Sequence, residues 1–295
     1  MNFPGLLVLG ATGRIGRILR HVWPRTPDLA PLSAATKWQA RSPDSGLDPA
    51  LVFDPLHDPE ALRHASAGAQ VLLCLAGGIP GRLRSGDTLA DNIRLARATI
   101  DAAPAGARVL LCSSAAVYGH QAGTLSETHP CQPLNDYGRA KVEMEALAQV
   151  QTTRPGVHVT SLRIGNIAGI DSILGGWTPG FQLDRFADGH SPRRSYIGVE
   201  TLARVLGHLC CHPDALPSVL NVAAPGMTEM GELLDAAGKA WTPRPAPESA
   251  IPTVTLDVRR LQELVPLPPQ ASDVAEMVEE WRRLEPHLNQ EEARS

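Results

Sequence analysis

The sequence predicts an α/β fold, in which helices cover both faces of a doubly wound parallel sheet and a small C-terminal lobe completes the molecule. Through the first half of the chain, short apolar runs alternate with longer helical patterns, and each run is closely followed by Gly, Asp or Ser. Such alternation is typical of βαβ units, and strands that are apolar on both faces are typical of a helix-covered sheet. The 295 residues, 43% of them hydrophobic and 20% charged, suffice to bury this core.

The elements follow this pattern in order. Strands are predicted at residues 6–9, 37–40, 51–53, 71–75, 109–112, 157–164 and 220–223, and helices at 15–23, 59–67, 88–103, 137–151 and 201–210. Residues 1–164, with 196–223 returning to them, are expected to form the sheet domain. Residues 165–195 and 224–295 have no βαβ rhythm. We expect these two segments to form the small lobe, over the carboxyl edge of the sheet where α/β proteins bind ligands.

The composition excludes several classes of function. There are 27 Lys and Arg against 31 Asp and Glu, a net charge of −4 that provides no basic surface for nucleic acid or an anionic membrane. The five cysteines include no CxxC pair and the ten histidines do not cluster with carboxylates, so neither a disulfide framework nor a metal site is expected. No signal-peptide pattern is present, and no apolar run approaches the roughly 18 residues of a membrane span. We therefore expect a cytoplasmic protein with a small-molecule substrate and no nucleic-acid or membrane partner.

A glycine-rich turn joins the first strand to the first helix. The glycines are Gly10, Gly13 and Gly16. A residue without Cβ lets the backbone approach a pyrophosphate, whose charge is then held by N–H groups at the helix start. The alternative is an ordinary turn with incidental glycines. Because the glycine motif directly follows a strand and opens a helix, we favour a Rossmann-like, NAD(P)-binding domain. The predicted cofactor contacts in the turn are Gly10, Thr12, Gly13, Arg14, Ile15 and Gly16.

The residues after the second strand bear on the choice between NAD and NADP. An acidic side chain there would bind a ribose 2′-hydroxyl, and a basic one would accept a 2′-phosphate. The chain has Arg41 at this place, and Arg14 lies inside the glycine turn. Both favour NADP over NAD, although both also fit ordinary surface arginines. Asp54, after the third predicted strand, is a candidate acceptor for an adenine amino group or a cap for the next turn.

A serine and a Tyr–Lys pair follow the strand at 109–112. The chain has only three tyrosines and three lysines, yet Tyr137 and Lys141 stand four residues apart, on one face of a predicted helix. A cation within about 4–6 Å favours a phenolate and lowers the tyrosine pKa from its ordinary value near 10. Ser114 can hydrogen-bond a substrate oxygen and orient it for proton transfer. Each residue alone fits a structural role, whereas the combination indicates catalysis.

With these motifs, the chain resembles the extended short-chain dehydrogenase/reductases, the NAD-dependent epimerase/dehydratase family. The resemblance covers about residues 5–223 and rests on the motifs at 10–16, 75–77, 92, 113–119, 137–141, 163–166 and 196–199. It implies that Ser114, Tyr137 and Lys141 form a catalytic triad, and that Gly165 and Asn166 lie near the nicotinamide and the substrate. It also implies adenosine and ribose contacts from Asp54, Pro55, Leu75, Ala76, Gly77 and Asn92.

Some residues limit what the resemblance implies. Dehydratases of the family carry an acidic pair after the catalytic hydroxyl residue, where this chain has Ala115 and Ala116, so a 4,6-dehydratase is not expected. Arg193 is a candidate clamp for a substrate anion, or else part of a solvated loop pair.

The predicted function is an NAD(P)-dependent oxidoreductase or epimerase, with a sugar-like secondary alcohol or ketone among the candidate substrates and Tyr137 as general acid/base. The alternative is a cofactor-sensing regulator without redox turnover. Homodimers are expected from the resemblance alone.

Overall fold

The computed structural model describes residues 3–43, 47–48, 51–151 and 156–292. The strands, in chain order, are β1 (Leu6–Leu9), β2 (Thr36–Gln39), β3 (Val71–Cys74), β4 (Arg108–Ser114), β5 (Gly123–Leu125), β6 (His158–Ile164), β7 (Asn166–Ile167), β8 (Gln182–Arg185), β9 (Arg193–Arg194), β10 (Tyr196–Ile197), β11 (Val219–Val222), β12 (Thr228–Glu229), β13 (Thr242–Pro245) and β14 (Thr253–Leu256). The helices are α1 (Arg14–Val22), α2 (Ala30–Ala35), α3 (Pro59–Ser66), α4 (Asp91–Ala102), α5 (Asp136–Gln151), α6 (Val199–Cys211), α7 (Met230–Ala236), α8 (Arg259–Leu264) and α9 (Val274–Glu292).

Six parallel strands form the central sheet, in the order β11-β6-β4-β3-β1-β2. The order reverses at β1, so β2 and β3 lie on its two sides and their carboxyl ends open a crevice beside the glycine turn. Six of the predicted strands are confirmed within a few residues, as is the Rossmann-like α/β class. The candidate site described below lies at this crevice.

The strand predicted at 51–53 is wrong. Among the described residues, a single parallel bridge, between Ala40 and Val52, extends the sheet beyond β2. Two hydrogen bonds form it, from Ala40 N to the Leu51 carbonyl at 3.1 Å and from Phe53 N to the Ala40 carbonyl at 3.0 Å. The side chain of Asp54 then accepts a hydrogen bond from Leu56 N at 2.8 Å. This Asx turn diverts the backbone from the extended path, so the pairing does not continue.

Alternate residues of the strands enter separate cores on the two faces of the sheet. Leu6 and Val8 point to the face covered by α1 and α6, whereas Leu7 and Leu9 point to the face covered by α3, α4 and α5. All four side chains are buried. A strand that is apolar on both faces is thus explained by helices on both faces.

The segments 165–195 and 224–292 contribute to two apolar clusters. One cluster, which includes Leu174, Leu183, Leu233, Met277 and Trp281, lies apart from the sheet. Residues of β14 and α8, in contrast, pack into the core on the α1 and α6 face of the sheet. Within the described residues, no helix is long and apolar enough to cross a membrane.

Candidate active site

The glycine turn brings the backbone close to the carboxyl ends of β1 and β3. Gly10 has a φ of +87°, and a Cβ there would lie 2.8 Å from the backbone nitrogen of Ala76. A Cβ on Gly16 would collide with the carbonyl oxygens of Gly10 and Ala11. α1 begins after Gly13 without a side-chain cap and without an acidic residue in its first turn. Because the first turn of a helix leaves N–H groups without intrahelical partners, this terminus fits a phosphate group.

Two adjoining cavities extend from this turn, and they share Gly13, Leu75, Gly77 and Gly78 as walls. The first, which we call the adenosine-side cavity, is lined by predicted residues Gly10, Thr12, Gly13, Arg41, Asp54, Pro55, Leu75, Ala76 and Gly77. The second, the catalytic cavity, is lined by predicted residues Gly13, Arg14, Ile15, Gly16, Leu75, Gly77, Asn92, Ser114, Tyr137, Lys141, Gly165 and Asn166. The fold therefore brings these sequence-distant residues to two adjoining cavities, which together are called the cleft below.

Arg193 is the one predicted site residue that does not line either cavity. It lies in β9, and its guanidinium pairs with Asp188 at 3.1 Å. Its neighbour Arg194 donates hydrogen bonds to the carbonyls of Ile251 and Pro252. Across the described part of the chain, no group of three or more His, Cys, Asp or Glu side chains is arranged to hold a metal ion.

Ser114, Tyr137 and Lys141 converge in the catalytic cavity. Ser114 is the last residue of β4, and Tyr137 and Lys141 lie one turn apart at the start of α5. The Ser114 side chain lies close enough to the Tyr137 hydroxyl to lower the pKa of Tyr137. The Lys141 Nζ lies 5.6 Å from the centre of the Tyr137 ring.

Lys141 is buried and held by two hydrogen bonds. Its Nζ donates to Asn92 Oδ1 at 2.9 Å and to the Cys112 carbonyl at 2.6 Å. Only 4% of its surface is exposed, and this burial lowers its pKa. Asn92 in turn donates to the carbonyls of Gly78 and Leu89, at 3.1 and 2.9 Å. The loop after β3, α4 and α5 are thereby tied together around the ammonium group.

The ionisation of Tyr137 differs from the expectation that Lys141 lowers its pKa. Burial, the largest effect, raises the pKa of Tyr137 to about 12, and only the nearby Ser114 side chain and Arg14 act in the opposite sense. Desolvation of the Tyr137 phenolate therefore outweighs its stabilisation by nearby cations. At neutral pH, Tyr137 carries its proton and is suited to act as an acid.

The adenosine-side cavity contains a feature that the sequence did not indicate. The side chain of Gln39, the last residue of β2, accepts a hydrogen bond from Gly10 N at 3.1 Å and donates to the Phe53 carbonyl at 2.6 Å. It is 1% exposed. Gln39 therefore fastens the glycine turn to the edge of the sheet. Its position at the end of β2 was the available signal. A neutral amide, however, has neither the negative charge expected beside a ribose 2′-hydroxyl nor the positive charge expected beside a 2′-phosphate.

Arg41 and Asp54, the charged residues predicted here, both have protein partners. Both terminal nitrogens of Arg41 donate to the carboxylate of Asp87, at 2.8 Å each. This hydrogen bond holds the pKa of Asp87 below its ordinary value. Asp54 caps the turn at Leu56 and lies 3.1 Å from the His57 ring. Asp87 is a second lining residue that sequence reasoning missed, since nothing local marks it as a partner of Arg41.

Asp171 is a missed residue of the catalytic cavity. One carboxylate oxygen accepts from the Tyr196 hydroxyl at 2.8 Å, and the other accepts from the backbone N–H groups of Leu174 and Gly175 at 3.0 and 3.1 Å. Burial raises the pKa of Asp171. The carboxylate thus fixes the loop 171–175 at the wall of the cavity. An Asp before a Gly-containing loop is a signal for such a turn, but not for its place in the site.

Comparison with solved structures supports the same fold. A short-chain dehydrogenase/reductase superfamily protein from Agrobacterium tumefaciens with bound NAD is 18% identical, with 97% of this chain and 99% of that chain covered and a TM-score of 0.72. A UDP-glucose-4-epimerase from Stenotrophomonas maltophila with bound NAD is 18% identical, with 96% and 99% covered and a TM-score of 0.72. TunA, an NAD-dependent NDP-hexosamine 5,6-dehydratase, is 17% identical, with 94% and 97% covered and a TM-score of 0.69.

At these identities the structural likeness concerns the fold alone. No curated protein matches the chain. The model of the NAD dependent epimerase/dehydratase family, however, matches residues 6–223, a span that holds the glycine turn, Ser114, Tyr137 and Lys141. The chain therefore belongs to the NAD-dependent epimerase/dehydratase family.

Proposed function

We propose that the protein is an NAD(P)-dependent oxidoreductase or epimerase that acts on a secondary alcohol or ketone carbon of a small molecule. The observation that carries this proposal is the convergence of Ser114, Tyr137 and Lys141 in a cavity continuous with the one beside the glycine turn. The nicotinamide, when bound, supplies or accepts the hydride. The helix terminus at Gly13 fits its pyrophosphate, and the adenosine-side cavity fits the other end of the dinucleotide.

Tyr137 is the proton carrier in this proposal. Its raised pKa keeps the phenol protonated, so it can donate the proton to a carbonyl oxygen that becomes an alcohol. In the reverse direction it takes the proton from the alcohol. Ser114, which lines the same cavity as Tyr137, hydrogen-bonds the same substrate oxygen and orients it. Lys141 supplies the buried cation beside the tyrosine ring, with Asn92 fixing its position.

The preference for NADP remains a proposal that rests on Arg41. Arg14 lines the catalytic cavity and not the adenosine-side cavity, so it gives no support to a 2′-phosphate site there. Arg41 lines the adenosine-side cavity but already binds Asp87 through both terminal nitrogens. A 2′-phosphate would have to compete with that carboxylate. Asp87 is therefore the residue on which the choice between the two dinucleotides depends.

We favour epimerisation or net redox over 4,6-dehydration. No carboxylate follows Ser114, because Ala115 and Ala116 begin the short 3-10 turn there. Structural relatives include UDP-sugar epimerases and a hexosamine dehydratase, so a nucleotide sugar is the first substrate class to test. We further propose that segments 165–195 and 224–295 provide the substrate lobe, and that the enzyme works as a cytoplasmic homodimer.

The test compares the wild-type protein with Tyr137→Phe. Affinities for NAD, NADH, NADP and NADPH are measured by calorimetry, and hydride transfer or epimer formation is followed with nucleotide sugars and simple secondary alcohols. We expect Tyr137→Phe to lower kcat by about 10²–10⁴-fold while leaving the cofactor affinity unchanged. Near-normal turnover in this variant would remove Tyr137 from the mechanism. Tight dinucleotide binding without turnover of any substrate by the wild-type protein would favour the regulatory alternative.

A further inference from the structure

The catalytic cavity has an aliphatic side to which the proposed reaction assigns no role. Three isoleucines of its lining, Ile79, Ile167 and Ile170, come from the loop after β3, from β7 and from the turn that follows β7. Ile167 is 9% exposed and packs into the core, whereas Ile79 is 39% exposed. The lining therefore offers branched aliphatic surface to a molecule that lies beside Tyr137.

Most polar side chains of the catalytic cavity are already bound to other protein groups. Lys141 donates to Asn92 at 2.9 Å, and Ser113 donates to a buried glutamate at 2.6 Å. Both oxygens of Asp171 accept hydrogen bonds from the protein, and the Arg14 guanidinium donates to a backbone carbonyl at 2.5 Å. These bonds hold the walls of the cavity together, and they leave few donors and acceptors for a ligand.

Three polar side chains of the lining remain for a substrate: Ser114, Tyr137 and Asn166. The Ser114 oxygen accepts from the backbone N–H of Ala116 at 3.2 Å and keeps its own proton to donate. In the parts of the chain that the structure describes, the Asn166 amide has no hydrogen-bond partner. Ser114 and Tyr137 both serve the reacting oxygen in the proposed reaction, so Asn166 is left for one further polar group.

A sugar ring does not match this set of polar groups. It carries a hydroxyl on most of its carbons, and each hydroxyl that is buried without a partner loses the hydrogen bonds that it made to water. An aliphatic ring or chain, in contrast, gains free energy when it is buried against isoleucine side chains. Both effects act in the same direction, against polyhydroxylated substrates and in favour of apolar ones.

We propose that the substrate is a secondary alcohol or ketone whose reacting carbon is flanked by apolar groups, with at most one further polar group, bound by Asn166. The inference rests on the proposed function, because it assigns the reacting oxygen to Ser114 and Tyr137. In the direction of reduction, the ketone carbon takes a hydride from the reduced dinucleotide. The ketone oxygen takes the proton of Tyr137, which water then restores.

The experiment compares two ketones built on the same six-membered ring, cyclohexanone and pentahydroxycyclohexanone. Reduction by the full-length protein is followed through the absorbance of NADH and of NADPH, and epimerisation of UDP-glucose is measured in parallel. We expect kcat/KM for cyclohexanone to exceed that for pentahydroxycyclohexanone by about 100-fold or more, because several hydroxyls of the second ketone stay unpaired.

Ile79→Ala tests the aliphatic side directly. We expect this variant to lower kcat/KM for cyclohexanone by about 3- to 10-fold and to leave that for pentahydroxycyclohexanone unchanged. A general loss of structure would instead lower both values, so the ratio of the two distinguishes these causes. The matched control is Met227→Ala, since Met227 is an apolar side chain that is 57% exposed and lines neither cavity of the cleft. This control should keep the wild-type ratio.

Two results would overturn the inference and leave the proposed reaction in place. One is a kcat/KM for pentahydroxycyclohexanone or UDP-glucose that equals or exceeds that for cyclohexanone, and the other is a wild-type ratio in Ile79→Ala.

If no substrate is turned over, saturation-transfer NMR of both ketones with NADH present gives the answer. Binding of cyclohexanone alone, weakened in Ile79→Ala, would contradict the proposed reaction and support the apolar substrate class. Equal binding of both ketones, or no binding of cyclohexanone, would overturn the inference.

Discussion

The hydroxyl of Ser113 donates a 2.6 Å hydrogen bond to the carboxylate of Glu145 in the protein interior. Ser113 directly precedes Ser114, and Glu145 lies one helical turn after Lys141. Because Ser113 belongs to β4 and Glu145 to α5, this bond joins the two elements that carry the proposed catalytic groups. Both side chains are buried, at 2% and 3% exposed.

Arg163 completes the charge balance of this buried pair. Its guanidinium donates to both oxygens of Glu145, at 2.7 to 3.1 Å, and to the Tyr118 hydroxyl at 2.9 Å. Tyr118 in turn donates to Asn221 Oδ1 at 2.7 Å. The network therefore spans β4, α5, β6 and β11 behind the catalytic cavity. Its charges are compensated only while both ionic partners are present.

Replacing Glu145 should be strongly destabilising. Glu145→Gln keeps the size but leaves the Arg163 guanidinium buried without a counter-charge, so we expect a loss of about 3–5 kcal/mol in the free energy of unfolding. Urea denaturation of the wild type and the variant measures this loss. Glu143→Gln, an exposed position on the same helix, is the control and should change stability by less than about 0.5 kcal/mol. Equal effects of the two substitutions would contradict a structural role for the network.

The three tyrosines should resist ionisation while the protein is folded. Burial raises the pKa of Tyr118, Tyr137 and Tyr196 alike, that of Tyr137 to about 12. A raised pKa means that the unfolded chain loses these protons first. The stabilisation that comes from these raised tyrosine pKa values is therefore fully present below pH about 10. As the pH rises further, the free energy of unfolding falls by about 1.4 kcal/mol per pH unit for each such tyrosine.

Ultraviolet absorbance of the phenolate tests this directly. We expect little phenolate at pH about 10, where a free tyrosine is half ionised, and a steep rise only as the protein unfolds. In Tyr137→Phe the final absorbance should be about one third smaller, because the chain has three tyrosines. Ionisation of one tyrosine near its ordinary pKa in the folded protein, and its loss in Tyr137→Phe, would show that Lys141 outweighs burial.

Asp87→Asn should move cofactor selectivity toward NADP. The substitution removes the carboxylate that binds both terminal nitrogens of Arg41, which frees the guanidinium for a 2′-phosphate. We expect the affinity for NADP relative to NAD to rise about tenfold, equivalent to about 1.4 kcal/mol. Calorimetry with both dinucleotides gives the ratio. Asp214→Asn, beyond the end of α6, should leave the ratio unchanged, and an unchanged ratio in Asp87→Asn would show that Arg41 does not contact the 2′ position.

Alanine substitutions at two glycines of the turn should have different effects, one on stability and the other on cofactor binding. A Cβ on Gly16 would meet backbone oxygens that cannot move aside, so Gly16→Ala should cost about 1–3 kcal/mol of stability. At Gly13 the nearest atom to a Cβ is the Gly10 carbonyl oxygen, at 3.3 Å, and the residue lines both parts of the cleft. Gly13→Ala should therefore fold nearly normally but bind dinucleotide at least several-fold more weakly. Thermal melting and calorimetry distinguish the two outcomes, and unchanged dinucleotide affinity in Gly13→Ala would place the pyrophosphate elsewhere.

The sequence by itself determined the parallel sheet, the glycine turn and the Tyr137–Lys141 spacing. These features depend on local patterns: apolar runs of strand length, glycines where a strand meets a helix, and an interval of one helical turn. Such patterns act within a few residues of the chain, so they are readable without knowing what lies opposite. The family resemblance used the same motifs, and the match over residues 6–223 confirms it.

Only the tertiary structure decided what surrounds each of these residues. It reduced the strand at 51–53 to a single bridge, paired Arg41 with Asp87 and left Arg193 outside the cleft. It half-buried Tyr137, which raises the pKa of its hydroxyl, and it brought Arg14, Arg82 and Lys239 to one pocket from separate parts of the chain. The physical reason is that charge pairing and desolvation depend on distances in space. Those distances are set by how helices and loops pack on the sheet, and no spacing along the sequence encodes them.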